Sequence, residues 1–510
     1  MANFAISANA RIDNREDLHL SDAEVILNAY KKWGDECVKH LLGDFAFAIW
    51  DDREQRFFCA RDHFGVKPFY YTFIDNKFAF SSSLNELRLD RRVSNMLNEI
   101  AVGDYLLFGV NQDLSTTIFK DIQRLPPGHT LTVTNGSTTT RRYWTPEPST
   151  EVRFRDPESY VERFRELLTR AVKDRLRTDR VGISMSGGLD STSLAAVARE
   201  QINDVHAFTV VYDSLIPDEE RHYSTLAAEH LGIKITHLSA DRYALFDEQV
   251  PGDMDQPEPF QLPILTGQFH GLLRLCAEHS PVMLTGYDGD AFMSLPQRSR
   301  FGGIKKTIKS LVARPSDRAA TEGRPYSWLD ESFAKRTGLL ERWKKASVEP
   351  GSPENPMWTA LFEGYDRSST KLNLEVWHPF VDVRLVEFLL SIPVRPWRTN
   401  KHILREAMND KLPPAVLNRR KTSLAGSPAL QLVRRASVRC LERFEVSPQL
   451  RTFVNLDRRR SLADEETSDA LWANLRIFAL NYWLMHSQPA VRRTSQSQVN
   501  TVAATKTLIA

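Results

Sequence analysis

Ser184-Met185-Ser186-Gly187-Gly188-Leu189-Asp190-Ser191-Thr192 joins a short apolar run, Arg180 to Ser186, directly to a segment with helical character that continues through Glu200. The run has the length and composition of a buried strand. Two adjacent glycines let successive backbone N–H groups turn toward one point, and a helix start adds positive potential there. Ser186, Ser191 and Thr192 can add hydroxyl donors. Together these make a cradle for an anion, most naturally a phosphate. No GK[ST] follows, there is no GxGxxG, and Gly182-Ile183-Ser184-Met185-Ser186 lacks the second glycine of a nucleophile elbow. Asp190 sits inside the cradle, where a carboxylate repels phosphate unless it holds a Mg²⁺ that neutralises both. The loop therefore reads as nucleotide-binding rather than as a turn chosen only for its geometry.

Working outward, Val205 to Tyr212 reads as a second strand and Glu219 to Leu231 as a helix. Pro281 to Asp290 reads as a strand ending in a Gly/Asp loop. Strands alternating with helices predict a parallel, doubly wound sheet, followed by a mostly helical stretch from 328 to 487. Residues 1–145 obey a different grammar. Phe45 to Asp51, Arg56 to Asp62, Pro68 to Ile74 and Lys77 to Ser83 are short aromatic runs separated by turns, the pattern of neighbouring strands. Asp22 to Lys32 is an amphipathic helix with a cap at Ser21 or Asp22, and Asn135-Gly136 marks a tight hairpin. Residues 146–157, rich in Pro, Glu, Ser and Thr, read as a linker to a second domain at 158–487, and 488–510 as a disordered tail.

The 510 residues exceed one ordinary core, and 42% hydrophobic with 26% charged residues is the balance of a globular protein. A net charge of +2 gives no basic field for nucleic acid or an anionic membrane. No apolar run approaches the ~20 residues of a membrane span; the best, Leu385 to Val394, contains Glu387. Cys37, Cys59, Cys276 and Cys440 are widely spaced, which argues against a zinc site or a disulfide framework and for a reducing cytoplasm. The start lacks the marks of a signal peptide.

The chain resembles the asparagine synthetase family, and SGGLDS resembles the pyrophosphate loop of the ATP pyrophosphatase superfamily. The resemblance runs through RIDNREDL (11–18), SDAEVILNAY (21–30), GDFAFAIWD (43–51) and RDHFGVKPFYY (61–71) in the first domain. In the second it includes LTGYDGD (284–290), HPFVDVRLVEFLLSIP (378–393), KHILREAM (401–408) and LPPAVLNRRK (412–421). It implies a truncated Ntn-type, glutaminase-like α+β domain followed by an α/β synthetase domain. It also implies ATP and Mg²⁺ as cofactors, and a reaction in which a carboxylate attacks the α-phosphorus, pyrophosphate leaves, and an amine attacks the acyl-adenylate. By the same resemblance, Asp190 and Asp290 are the metal ligands. Ser186, Gly187, Gly188 and Ser191 cradle pyrophosphate. Ser184, Val210 and Gly286 line the adenosine, and Lys421 steadies the transition state.

Two departures carry the finer expectation. Position 287 is Tyr where asparagine synthetases carry Glu, as in β-lactam synthetases, and Glu363 stands ahead of His378-Pro379-Phe380 as the partner that would make Tyr287 a base. In the first domain, Asn9 and Asp22 match glutamine-contacting positions, but Ala10 replaces the usual Gly, residue 2 is Ala, and no Cys precedes Cys37. Glutamine hydrolysis is thus not expected, unless a start placed too far downstream has removed the Cys, and Cys37 and Cys59 are expected in the core. The features are similar to those of lasso-type macrolactam synthetases, which close a ring in a precursor peptide. The substrate is expected to be such a peptide or a small amino acid, with a leader-peptide-binding or protease partner. Asparagine synthesis, a β-lactam-type reaction and a non-catalytic binding scaffold remain the alternatives. The basic stretch 298–309 reads as a solvated helix face or a wall that meets peptide.

Overall fold

The computed structural model describes residues 4–15, 19–146, 150–243, 258–259, 266–294, 327–345, 355–419, 426–434, 445–459, 462 and 468–486. Lys421, Cys440, the basic stretch 298–309 and the expected tail at 488–510 lie outside them.

In the first domain an antiparallel sheet runs in the order β1 (Phe4–Ile12), β2 (Gly43–Asp51), β3 (Arg56–Arg61), β7 (His129–Thr134), β8 (Ser137–Arg142). A smaller sheet orders β5 (Lys77–Ser81), β4 (Tyr70–Ile74) and β6 (Gln123–Arg124). Alternate side chains leave opposite faces of a strand. Phe45, Phe47 and Ile49 of β2 therefore meet the helix Asp22–Trp33, while Ala46 and Ala48 face the core shared with the smaller sheet. That helix opens on a capping box: the Ser21 hydroxyl accepts from the Glu24 N–H, and the Glu24 carboxylate accepts from the Ser21 N–H. Asn135 and Gly136 both have positive φ, as the two-residue hairpin requires. Cys37 and Cys59 are fully buried, as expected of core residues.

Among the described residues the second domain holds five parallel strands: β9 (Arg180–Ser184), β10 (Asp204–Val211), β11 (Lys234–Ser239), β12 (Val282–Thr285) and β13 (Glu375–Trp377). Their order is β11-β10-β9-β12-β13. The chain thus moves outward from β9 in one direction, then returns to lay β12 on its other side. Ligands of such sheets bind in the crevice beyond the carboxyl ends of the strands where the order reverses. The strands' Val181, Ile183, Val282 and Leu284 join one core, and Phe208, Leu238 and Met283 join another with Leu272, Leu273 and Cys276 of the helix Thr266–His279. Gly182 is required between them, since a Cβ there would lie 2.1 Å from the Cys276 sulfur.

The two domains share packing. Val102, Leu106 and Leu107, from the helix Glu99–Phe108, join Phe333, Phe453, Ile477 and Leu480 of the second domain in a single apolar cluster. The Arg476 guanidinium also donates to the carbonyls of Leu106 and Leu107. No helix among the described residues is long and apolar enough to cross a membrane.

Candidate active site

The loops that follow β9 and β12 meet at the reversal point. Gly187 takes φ +61°, and a Cβ there would fall 2.6 Å from the Ser224 backbone nitrogen. Beyond it the helix Leu189–Gln201 begins, with the Ser191 hydroxyl accepting from the Ser186 N–H at 3.1 Å. The loop after β12 presses against this turn. A Cβ on Gly286 would sit 2.7 Å from the Ser191 nitrogen, and one on Gly289 would sit 2.7 Å from Asp190 Cγ. Both glycines thus bring Asp190 and Asp290 to one place by leaving no side chain between the loops. Ser184 and Val210 stand at the carboxyl ends of β9 and β10, on the same edge of the sheet.

A third residue completes the centre. Lys401 Nζ lies 2.5 Å from Asp190 Oδ2 and 2.8 Å from Asp290 Oδ1. The segment carrying it is tied to the short helix Gly289–Met293 that bears Asp290: the Lys401 N–H donates to the Met293 carbonyl at 2.8 Å, and Arg398 Nε to that of Phe292. Lys401 lies in KHILREAM, yet nothing in its periodicity marks a site residue. Its left-handed backbone, φ 56°, aims it there. Two carboxylates that already share one cation form an oxygen donor set suited to Mg²⁺, which keeps several waters and takes its other ligands from phosphates. The residues fit the ion.

Asp288 is a further carboxylate that spacing did not single out. It has φ 62°, takes a hydrogen bond from Trp358, and has its Oδ2 buried with no hydrogen-bond partner among the described residues. Burial, and secondarily the charge of Asp290, push it up to about 7. Thr285 closes β12 with its hydroxyl 2.7 Å from His378 Nδ1, and burial pushes that imidazole down to about 3, so it is neutral.

The expected Tyr287–Glu363 pair is not assembled. Tyr287 packs edge-on toward His378, and burial raises its pKa, with the neighbouring Asp288 and Tyr365 acting in the same direction. It therefore stays protonated and suits hydrogen-bond donation better than proton abstraction. Glu363 instead turns to the first domain, where it accepts from Arg61 at 3.1 Å and from Arg124 at 2.7 and 3.0 Å. Burial would raise its pKa, but Arg124 and Arg61 more than offset this and hold it below the usual carboxylate range. The sequence misled because those arginines lie far away along the chain.

Around Glu363 runs a buried ionic seam between the domains. Arg124 also holds Glu258 at 2.7 Å, Lys67 holds Glu375 at 2.7 Å, and Arg175 holds Asp382 at 2.9 Å while facing Asp13 and Asp44 at 3.9 Å. Asp22 belongs to this seam: its carboxylate accepts from Arg177 at 2.8 Å and from the Ile12 N–H at 2.9 Å. Asn9 lies on β1 opposite Ala46.

A glutamine amidotransferase domain model matches residues 6–144, and an asparagine synthase model matches residues 163–485. The chain is 27% identical over 474 residues to "Asparagine synthetase [glutamine-hydrolyzing] 3" of Bacillus subtilis (strain 168), covering 82% of this chain and 75% of that protein. It is also 27% identical over 450 residues to "Asparagine synthetase [glutamine-hydrolyzing] 2" of the same organism, covering 79% of this chain and 58% of that one. "Amidase chry2" of Gibberella zeae is 23% identical over 510 residues, with 80% and 73% covered.

Proposed function

Because the chain belongs to the asparagine synthase family, and is a carbon–nitrogen ligase of the asparagine synthetase type, we propose that it closes a macrolactam in a precursor peptide. An acidic side chain of the peptide is adenylated, pyrophosphate leaves, and the peptide's own amine displaces AMP and loses a proton as the amide forms. One observation carries the choice of amine: Asp22, at the position that would hold glutamine, is clamped by Arg177 and the Ile12 N–H. A carboxylate bound to a guanidinium is a poor receptor for a substrate ammonium, so the nucleophile comes from elsewhere. Tethering the amine to the acyl group makes the second step effectively unimolecular.

The residues divide the work by position. Ser186, Gly187, Gly188 and Ser191 offer N–H and hydroxyl donors to the departing pyrophosphate, and the helix start at Leu189 favours its charge. Ser184, Val210 and Gly286 line the adenosine on the strand ends, with Lys421 steadying the transition state. Asp190 and Asp290 would hold Mg²⁺, which when bound neutralises phosphate charge and eases departure of pyrophosphate. Tyr287 and Asp288 flank this centre and orient the reacting groups. A substrate presented by a leader-binding or protease partner in the cytoplasm fits this role.

The test uses the full chain with ATP and Mg²⁺, following pyrophosphate release and peptide mass. Release with an acidic peptide bearing a free N-terminus, and loss of one water from the peptide, is the expected outcome. Release only with aspartate and ammonium would replace this reading with asparagine synthesis, and no release with any acid would replace it with a binding scaffold.

A further inference from the structure

The cation already between the two aspartates is part of the chain itself. Lys401 Nζ is within hydrogen-bond distance of both carboxylates, and its side chain is only 11% exposed. The contact is built rather than incidental. The backbone at Asn400 and Lys401 takes two successive left-handed conformations, φ 50° and 56°, which cost energy for residues other than glycine. Arg398 and Lys401 are bonded to the carbonyls of Phe292 and Met293, at the end of the helix carrying Asp290. The backbone segments that carry Asp290 and Lys401 are therefore tied together, while the lysine side chain keeps its own freedom. Across the gap, the absence of a side chain on Gly289 allows Asp190 to approach.

The geometry points to Lys401 as an internal counter-ion that holds the metal site closed until nucleotide arrives. The inference rests on Asp190 and Asp290 being the Mg²⁺ ligands. With Lys401 in place the pair presents one net negative charge instead of two, and a free divalent ion must displace the ammonium to bind. When a nucleotide occupies the adjoining cradle, its phosphates offer the ammonium another partner. Lysine suits such an exchange: its compact charge rides on a flexible four-carbon stem and is not locked by a planar fork. Metal loading thereby becomes conditional on ATP, and the two ligands bind cooperatively.

The test measures Mn²⁺ binding to the full chain by electron paramagnetic resonance of the free ion, with and without a non-hydrolysable ATP analogue. Wild type is expected to bind Mn²⁺ weakly alone and at least tenfold more tightly with the analogue. Lys401→Met, which keeps length and removes charge, is expected to bind Mn²⁺ without nucleotide at least tenfold more tightly than wild type, with the cooperativity largely gone. Lys401→Arg, which keeps the charge, should leave nucleotide-free binding weak, and it serves as the folded comparison if the Met variant fails a melting control. Asp190→Asn should reduce binding in every background. Nucleotide-free affinity in Lys401→Met equal to or below wild type, with Asp190→Asn still weakened, overturns the counter-ion role alone. Affinity in Lys401→Arg as high as that expected of Lys401→Met overturns it as well. Unchanged binding in Asp190→Asn overturns the ligand assignment beneath it.

Discussion

Carboxylates in the interdomain seam and carboxylates in the crevice are handled in opposite ways. In the seam guanidinium does most of the gripping: Glu363 is held by Arg61 and Arg124, Asp382 by Arg175 and Arg384, Asp22 by Arg177, and Glu375 by Arg367 as well as by the Lys67 ammonium. In the crevice Asp190 and Asp290 share the ammonium of Lys401. Arginine presents a rigid planar fork that fixes geometry, whereas lysine presents a point charge that can be exchanged. The same residue class, Asp and Glu, is thus a rivet in one region and, at the proposed metal site, a receptor in the other.

The sharpest way to break this contrast is at the receptor. Asp190→Asn should cut pyrophosphate release about a thousandfold, the several kcal/mol that a metal clamp on phosphoryl groups supplies. Near-normal turnover would show that the crevice carboxylates are also rivets. Next comes the seam. Removing one partner of a buried pair strands the other charges, so Glu363→Ala should destabilise the fold by about 3–5 kcal/mol in urea titrations. Turnover per folded molecule of Glu363→Gln should stay close to wild type; a fall in its rate with stability intact would return Glu363 to the chemistry.

The third effect is a pH slope. His378 is pushed down to about 3 and His63 to about 4, both by burial, against an ordinary value of 6.5. The unfolded chain therefore binds more protons than the native one between about 6.5 and the native values. Stability from these two groups is fully present above pH 6.5 and is lost as pH falls toward 4. Melting temperature should drop across that window, and His378→Gln should flatten part of the drop. The smallest effect is expected at Asp22, whose pair with Arg177 is partly exposed, with side chains 20% and 25% accessible. Asp22→Asn should cost about 1 kcal/mol or less by denaturant titration, and a loss as large as that at Glu363 would mean the seam is uniform.

These contrasts also explain what was legible beforehand. The two loops at the sheet reversal could be read because glycine, serine and aspartate state their chemistry locally. Lys401 could not, since its role depends on left-handed backbone and a tie to Met293. Nor could Glu363, whose partners lie more than two hundred residues upstream. Among the elements, β1 is hard to read because alanines at 8 and 10 make its apolar face weak, although Ile6 to Ile12 alternates apolar and polar residues and all nine residues of the strand pair with β2. The helix Glu99–Phe108 was missed for the opposite reason: Ala101 through Leu107 are all buried, so no stripe distinguishes one face from another.

That helix has a wider consequence. Its side chains complete a cluster whose other half comes from Phe333, Phe453 and the helix Ser468–His486. The demands on the first domain consequently fall on two separate sets of positions: polar ones such as Asn9, which the family resemblance places against glutamine, and apolar ones such as Val102 and Leu106, which cover apolar surface of the second domain. Erosion of the first set leaves the second untouched. A domain built this way can retire from catalysis and still be impossible to delete.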